Sequence, residues 1–214
     1  MNTEDELIKE LREINETAGT WFSRREDDIK KIVNDSVGGN TFRAGPLLIP
    51  GKRPCVDVFR PWAVDMLNDK MADIKSVSTQ ADWDKLLNDI QINLKSKWKV
   101  EGGNDMGYGR RMKLINLVMK HFIWYTGLAS LERNSILKFL HVPLDSYTIS
   151  GIRILYNSTL PSGMVRANKS SSMGFVTSEK IYDYMHKIIR SASSKAGTPP
   201  IYYDILAWNM RNST

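Results

Sequence analysis

Residues 101–125 read EGGNDMGYGRRMKLINLVMKHFIWY, and this stretch decides the fold. Its first nine residues hold four glycines (Gly102, Gly103, Gly107 and Gly109), the mark of a turn. Beyond the turn, Leu114, Ile115, Leu117, Val118, Met119, Phe122 and Ile123 recur at helical spacing, so a strongly apolar helix is expected over 111–125. Lys113, Asn116 and Lys120 fall at i, i+3 and i+7 and share one face of that helix. The plain reading of this face is a solvated stripe. The chemical reading is an amine held partly out of water, where its neutral, nucleophilic form is favoured.

Further on, a helix expected over 131–140 is broken at His141-Val142-Pro143-Leu144. Asp145 then stands where a helix N-cap belongs, ahead of Tyr147, Ile149, Ile152 and Leu155. Capping alone suffices to explain an aspartate there, and a carboxylate that also serves an amine is compatible with it.

The rest of the chain is helical by pattern as well. Leu7, Leu11 and Ile14 form a stripe, with Thr3 and Glu6 in the positions of a capping box. Further helices are expected over 23–34, 62–74, 81–98, 178–191 and 200–210. The stretch 37–61 holds Gly38, Gly39, Gly45 and Gly51 with Pro46, Pro50, Pro54 and Pro61, so it reads as an irregular connection. The polar stretch 161–174, with Ser170, Ser171 and Ser172 in a row, reads as mobile. The fold class is mostly α, with no internal repeat.

Composition narrows the function. The 214 residues are 42% hydrophobic and 25% charged, ordinary for a globular chain of one domain or two small lobes. A lone cysteine, Cys55, excludes a disulfide framework and a four-cysteine metal or iron–sulfur site, and it reads as a small buried residue. His121, His141 and His186 lack metal-ligand spacing, so no metal and no cofactor are expected. Glycine loops for nucleotides, a G-x-S-x-G elbow and a dinucleotide fingerprint are absent. The acidic, amphipathic N-terminus is not a signal peptide, and no run is long enough to span a bilayer, so a cytoplasmic protein without membrane attachment is expected. Charge is uneven. Residues 1–100 carry 16 Lys and Arg against 17 Asp and Glu, whereas 101–214 carry 14 against 7. The second half is where nucleic acid would bind.

A glycine-containing turn, a helix beginning near a lysine, and a proline-led aspartate opening another helix resemble the helix-hairpin-helix DNA glycosylase superfamily. Within it, KLINLVMK (113–120) followed by VPLD (142–145) looks most like the archaeal 8-oxoguanine DNA glycosylase branch, in the spacing of the two lysines and in the lysine-to-aspartate interval. The resemblance covers 102–151, and GNDMGYG (103–109) stands where the family has L-P-G-hydrophobic-G. It implies a mostly α, two-lobed helical fold with a central cleft. Residues 1–100 would form a helical lobe that includes the irregular 37–61 segment, and 101–214 a basic lobe with the hairpin and catalytic helix. It also implies a DNA N-glycosylase, with or without AP-lyase activity, that excises an oxidised or otherwise modified base. Lys113 would attack C1′ of the damaged nucleotide, and Asp145 would be its acid/base and electrostatic partner.

Such an enzyme takes its base out of the duplex, which calls for aromatic surfaces and phosphate contacts. Trp62 and Tyr147 are the stacking candidates favoured here, with Tyr108, Trp98 and Trp124 behind them; the last two read as core. Arg110, Arg111, Asn116, Lys120, Gly107 and Gly109 are the expected DNA contacts, with Lys97 and Lys99 as further phosphate partners. Double-stranded DNA carrying a flipped base is the expected partner, and no obligate protein partner is implied. Two alternatives stand beside this: a non-catalytic helix-hairpin-helix DNA-binding module, and a phage- or defence-related enzyme acting on hypermodified bases. Repair and antiviral defence would use the same residues.

Overall fold

A computed structural model describes residues 3–42 and 54–211. The fold is mostly α. Among the described residues there are eleven α-helices and no strand beyond one isolated bridge between Glu26 and Tyr125. In chain order the helices are α1 (Glu4–Glu13), α2 (Asn15–Phe22), α3 (Ile29–Ser36), α4 (Cys55–Asp69), α5 (Met71–Ser76) and α6 (Gln80–Val100). They continue with α7 (Tyr108–Phe122), α8 (Ser130–Phe139), α9 (Ser146–Thr159), α10 (Glu179–Ala196) and α11 (Tyr202–Arg211). None of the described helices is long and apolar enough to cross a membrane.

The chain packs as two units, each discontinuous in sequence. One comprises Met1–Ser23, Tyr108–Lys113 and Leu140–Thr214; the other comprises Arg24–Gly107 and Leu114–Phe139. Charge, by contrast, divides the chain near residue 100.

In the first unit the capping box at Thr3 and Glu6 starts α1, and Leu7 and Leu11 are fully buried against α10 and α11. Helix α10 turns Ile181, Met185, Ile189 and Ala192 inward. Its end is fixed to α1 by Glu4, which accepts from Ser191 at 2.8 Å and from Lys195 at 2.7 Å. Helix α9 packs on α11. The polar stretch 161–174, expected to be mobile, is tied to α9. The Asn157 amide donates to Ala167 O at 2.8 Å and accepts from Ala167 N at 2.9 Å, and the Tyr156 hydroxyl donates to Val165 O at 3.1 Å.

In the second unit Phe59, Leu67, Ile74, Trp83 and Trp98 make the core, with α3 on α4 and α5 against α6 and α8. Two expectations change here. The helix anticipated over 23–34 begins only at Ile29, because Asp28 caps it through Lys30 N and the preceding Glu26 backbone pairs with Trp124 and Thr126. Within the segment read as irregular, 55–61 is helical. Helix α4 starts at Cys55 because Cys55, Val58, Phe59 and Trp62 give it an apolar face that outweighs Pro61. Residues 43–53 of that segment lie outside the described residues.

Candidate active site

Helix α7 begins at Gly107, whose φ of 72° is the left-handed region that glycine adopts freely. Two residues on, Gly109 lies against the turn at 173–176. A Cβ there would stand 2.2 Å from Met173 O and 2.7 Å from Val176 Cβ, and Gly109 N donates to Val176 O at 2.9 Å. These contacts fix the first turn of α7, and the helix then presents Lys113.

Asp145 is brought to the same place by a different route. Residues 140–145 are buried and belong to neither helix nor strand, and Asp145, itself extended, caps α9. Its Oδ1 accepts from Tyr147 N at 2.9 Å and Thr148 N at 3.2 Å, while Thr148 Oγ1 accepts from Asp145 N at 2.7 Å. The other oxygen, Oδ2, stands 3.6 Å from Lys113 Nζ. Both side chains are largely withdrawn from water, 16% exposed for Lys113 and 11% for Asp145. An amine and a carboxylate held together in this way, with a solvent-reachable edge, suit nucleophilic attack assisted by a neighbouring anion.

Tyr203 supports the helix that Asp145 caps. It is fully buried, and its hydroxyl donates to Thr148 O at 2.7 Å, bracing the first turn of α9. Burial first, and then the carboxylates of Asp145 and Asp204, hold its phenol well above the ordinary range, so it stays protonated. Two residues past Asp145, the Tyr147 ring lies 5.1 Å from that of Trp208, tilted by 48°. Trp208 is 42% exposed, so this ring pair leaves an aromatic surface open in the unit that holds Lys113 and Asp145.

The remaining sequence candidates divide sharply. Arg110 keeps a partly exposed place, its guanidinium lying over Gly174. Arg111 is only 6% exposed, which takes it away from phosphate. The N–H groups of Gly107 and Gly109 are donated to Asp105 Oδ1 and Val176 O, so neither is offered to DNA. Trp62, Asn116 and Lys120 belong to the second unit and are 7%, 1% and 7% exposed. Trp62 donates to Asn93 at 2.7 Å and packs on Phe59, a core role that leaves no face for a base. The stripe of Lys113, Asn116 and Lys120 is therefore not a solvated one. Lys97 pairs with Glu101 at 3.0 Å. Tyr108 meets Tyr182 edge-on, and Trp98 and Trp124 are buried as expected.

Sequence reasoning does not reach Trp208 or Asp204; it reads Tyr203 as packing, and His186 only as a histidine without metal-ligand spacing. The one available signal was the four-residue spacing of Asp204 and Trp208 on an aromatic-rich helix, and it is weak on its own. Comparison with protein-family models, with curated proteins and with solved structures gives no match to this chain.

Proposed function

We propose that the protein is a DNA N-glycosylase of helix-hairpin-helix type, with or without AP-lyase activity, that excises an oxidised or otherwise modified base. The observation that carries this reading is the approach of Lys113 Nζ to Asp145 Oδ2, 3.6 Å apart and mostly shielded from water. Base release breaks the C1′–N bond and leaves an oxocarbenium-like centre beside a carboxylate that stabilises it. The Lys113 ammonium passes a proton through Asp145 to the departing base, which leaves with the glycosidic electron pair, so that Asp145 is again a carboxylate as the Lys113 amine bonds to C1′. The proton lost by that nitrogen goes to O4′ as the C1′–O4′ bond breaks, giving a Schiff base; removal of a C2′ proton by the Asp145 carboxylate then expels the 3′ phosphate with its electron pair and cuts the strand.

The basic excess of 101–214 supports DNA as the partner, and the Tyr147–Trp208 surface supports stacking on an extruded base. A DNA-binding module without chemistry draws on one observation, that the capping role of Asp145 Oδ1 is by itself a reason for the residue. Base release and strand nicking separate the two. Duplexes carrying 8-oxoguanine, uracil, an abasic site, hydroxymethylcytosine or its glucosylated form are incubated with wild type and Lys113→Gln. Release or nicking that disappears in the variant, with duplex binding retained, supports the enzyme. Equal rates in the variant and wild type would sink it.

A further inference from the structure

The six residues that carry the chain from α8 to Asp145 are buried, with Leu140, His141, Val142, Leu144 and Asp145 each no more than 8% exposed. Buried backbone outside helix and strand needs partners for its carbonyls. Pro143 O receives one from Thr148 Oγ1 at 3.1 Å, inside the cap itself. Val142 O receives one from outside: His186 Nε2 on α10 stands 3.1 Å away. His186 is 1% exposed, and its other nitrogen, Nδ1, lies 2.9 Å from Tyr182 O, one turn back in the same helix.

Both neighbours of this imidazole are acceptors, and a neutral ring can donate to only one of them. Its surroundings oppose a second proton. The ring is stacked on His141 with centroids 4.6 Å apart, and Arg190 stands behind His141 with its NH1 3.2 Å from Nε2. A guanidinium only donates, so His141 Nε2 accepts from Arg190, and His141 Nδ1–H donates to the Tyr182 hydroxyl at 2.8 Å. His141 is thus held as one tautomer by a cation on one side and a phenol on the other. His186 is left neutral with a single donor to place. Tyr182 O already sits within a helix, while Val142 O lies in the irregular buried segment that α10 must hold.

We infer that His186 is a positioning residue for Asp145, its Nε2–H tethering Val142 O so that the chain delivers Asp145 Oδ2 to Lys113. The inference rests on the catalytic reading of Lys113 and Asp145. His141, Tyr182 and Arg190 contribute by fixing the neighbouring ring. Loss of the tether frees the segment three residues before Asp145, and a displacement of about 1 Å at a reacting group lowers rates by about a hundredfold.

The test uses the full-length protein as wild type, His186→Phe, His186→Gln and Lys113→Gln. Phenylalanine keeps a ring without a donor, and glutamine restores a side-chain N–H. Lysine amines are dimethylated with 13C, and the Lys113 resonance is assigned by its absence in Lys113→Gln. In His186→Phe we expect that resonance to move, and single-turnover base release to slow about tenfold or more with duplex Kd unchanged within about twofold. His186→Gln should return both towards wild type. A Lys113 resonance in His186→Phe that coincides with wild type overturns the inference. If no lesion is processed even by wild type, the catalytic reading fails, and the resonance still decides the positioning claim. If His186→Phe does not fold, the wild type decides. A scalar coupling across the hydrogen bond from His186 Nε2 to the Val142 carbonyl carbon is expected, and a proton found on Nδ1 instead overturns the inference.

Discussion

Asp145 divides its carboxylate between two partners: Oδ1 caps α9, and Oδ2 faces Lys113 Nζ at 3.6 Å. In the proposed enzyme, stability and chemistry would rest on different oxygens, and substitution can separate them. Asp145→Asn keeps a capping oxygen and should lower stability by only a few tenths of a kcal/mol, whereas Asp145→Ala should cost about 1 kcal/mol. Both should lose base release, since neither retains the anion. Urea denaturation combined with a release assay checks this, and an asparagine variant as active as wild type would contradict it.

Gly109 lies where a side chain has no room. Gly109→Ala places a Cβ 2.2 Å from Met173 O, a backbone atom that cannot swing away. Destabilisation of about 1–3 kcal/mol is expected, with the loss centred on the start of α7. Gly38 is the control. A Cβ there meets nothing within 4 Å, so Gly38→Ala should be neutral or stabilising by about 0.5 kcal/mol. Chemical denaturation of the two variants side by side gives the comparison, and equal midpoints would refute it.

Arg133 closes the connection between α7 and α8. Its guanidinium donates to Ile123 O at 3.0 Å, Tyr125 O at 3.2 Å and Leu128 O at 3.1 Å, and the residue is 8% exposed. Truncation strands three carbonyls, so Arg133→Ala should destabilise the protein by about 3 kcal/mol or more. Arg133→Lys should recover only part of that, because an ammonium lacks the planar fork. The measurement is again a denaturation midpoint, and a loss under about 0.5 kcal/mol would show that the fork is dispensable.

Two buried histidines give the protein an acid-sensitive side. Burial, with Lys120 and Arg24 nearby, brings His121 down to about 3; burial and the His141 ring push His186 well below 6.5. Both folded-state values are depressed for groups that gain charge on protonation. Their stabilisation is complete above pH 6.5 and is lost as the pH falls below it, when the unfolded chain takes up protons that the folded chain refuses. Between pH 6 and 5 the loss should approach about 1.4 kcal/mol per pH unit for each imidazole. Urea titrations at pH 7, 6 and 5 read the slope, which His121→Phe should reduce by about one proton. Stability that does not change over this interval would contradict the assignment.

How much of this was legible in the sequence differs from residue to residue. Thr3 with Glu6, and Asp145 ahead of α9, announced their helices because capping is a local matter of a few neighbouring atoms. Lys113 and Asp145 were visible as a pair only through a resemblance, although their approach is a fact of packing. What escaped is set by distant contacts. Gly109 reads in the sequence as part of a glycine-rich turn and a DNA contact, yet its need for glycine comes from Met173 and Val176, more than sixty positions away. Arg133 carries no signal in the sequence, because its place is set by the carbonyls of Ile123, Tyr125 and Leu128, which only the folded chain brings to its guanidinium. Trp62 offered itself as a stacking ring, and its burial against Phe59 could not be read from spacing. The start of α4 was missed because Pro54 and Pro61 suggested a break, whereas a proline before a helix and one within it were both tolerated.

The most direct test of the account is borohydride trapping of the wild-type protein and Lys113→Gln on abasic and lesion-bearing duplexes. A covalent protein–DNA adduct that forms with wild type, is absent with Lys113→Gln, and maps to Lys113 is the predicted result. An adduct of equal yield in the variant, or no adduct and no base release from any duplex while DNA binding persists, would contradict the claim that Lys113 and Asp145 form a catalytic pair.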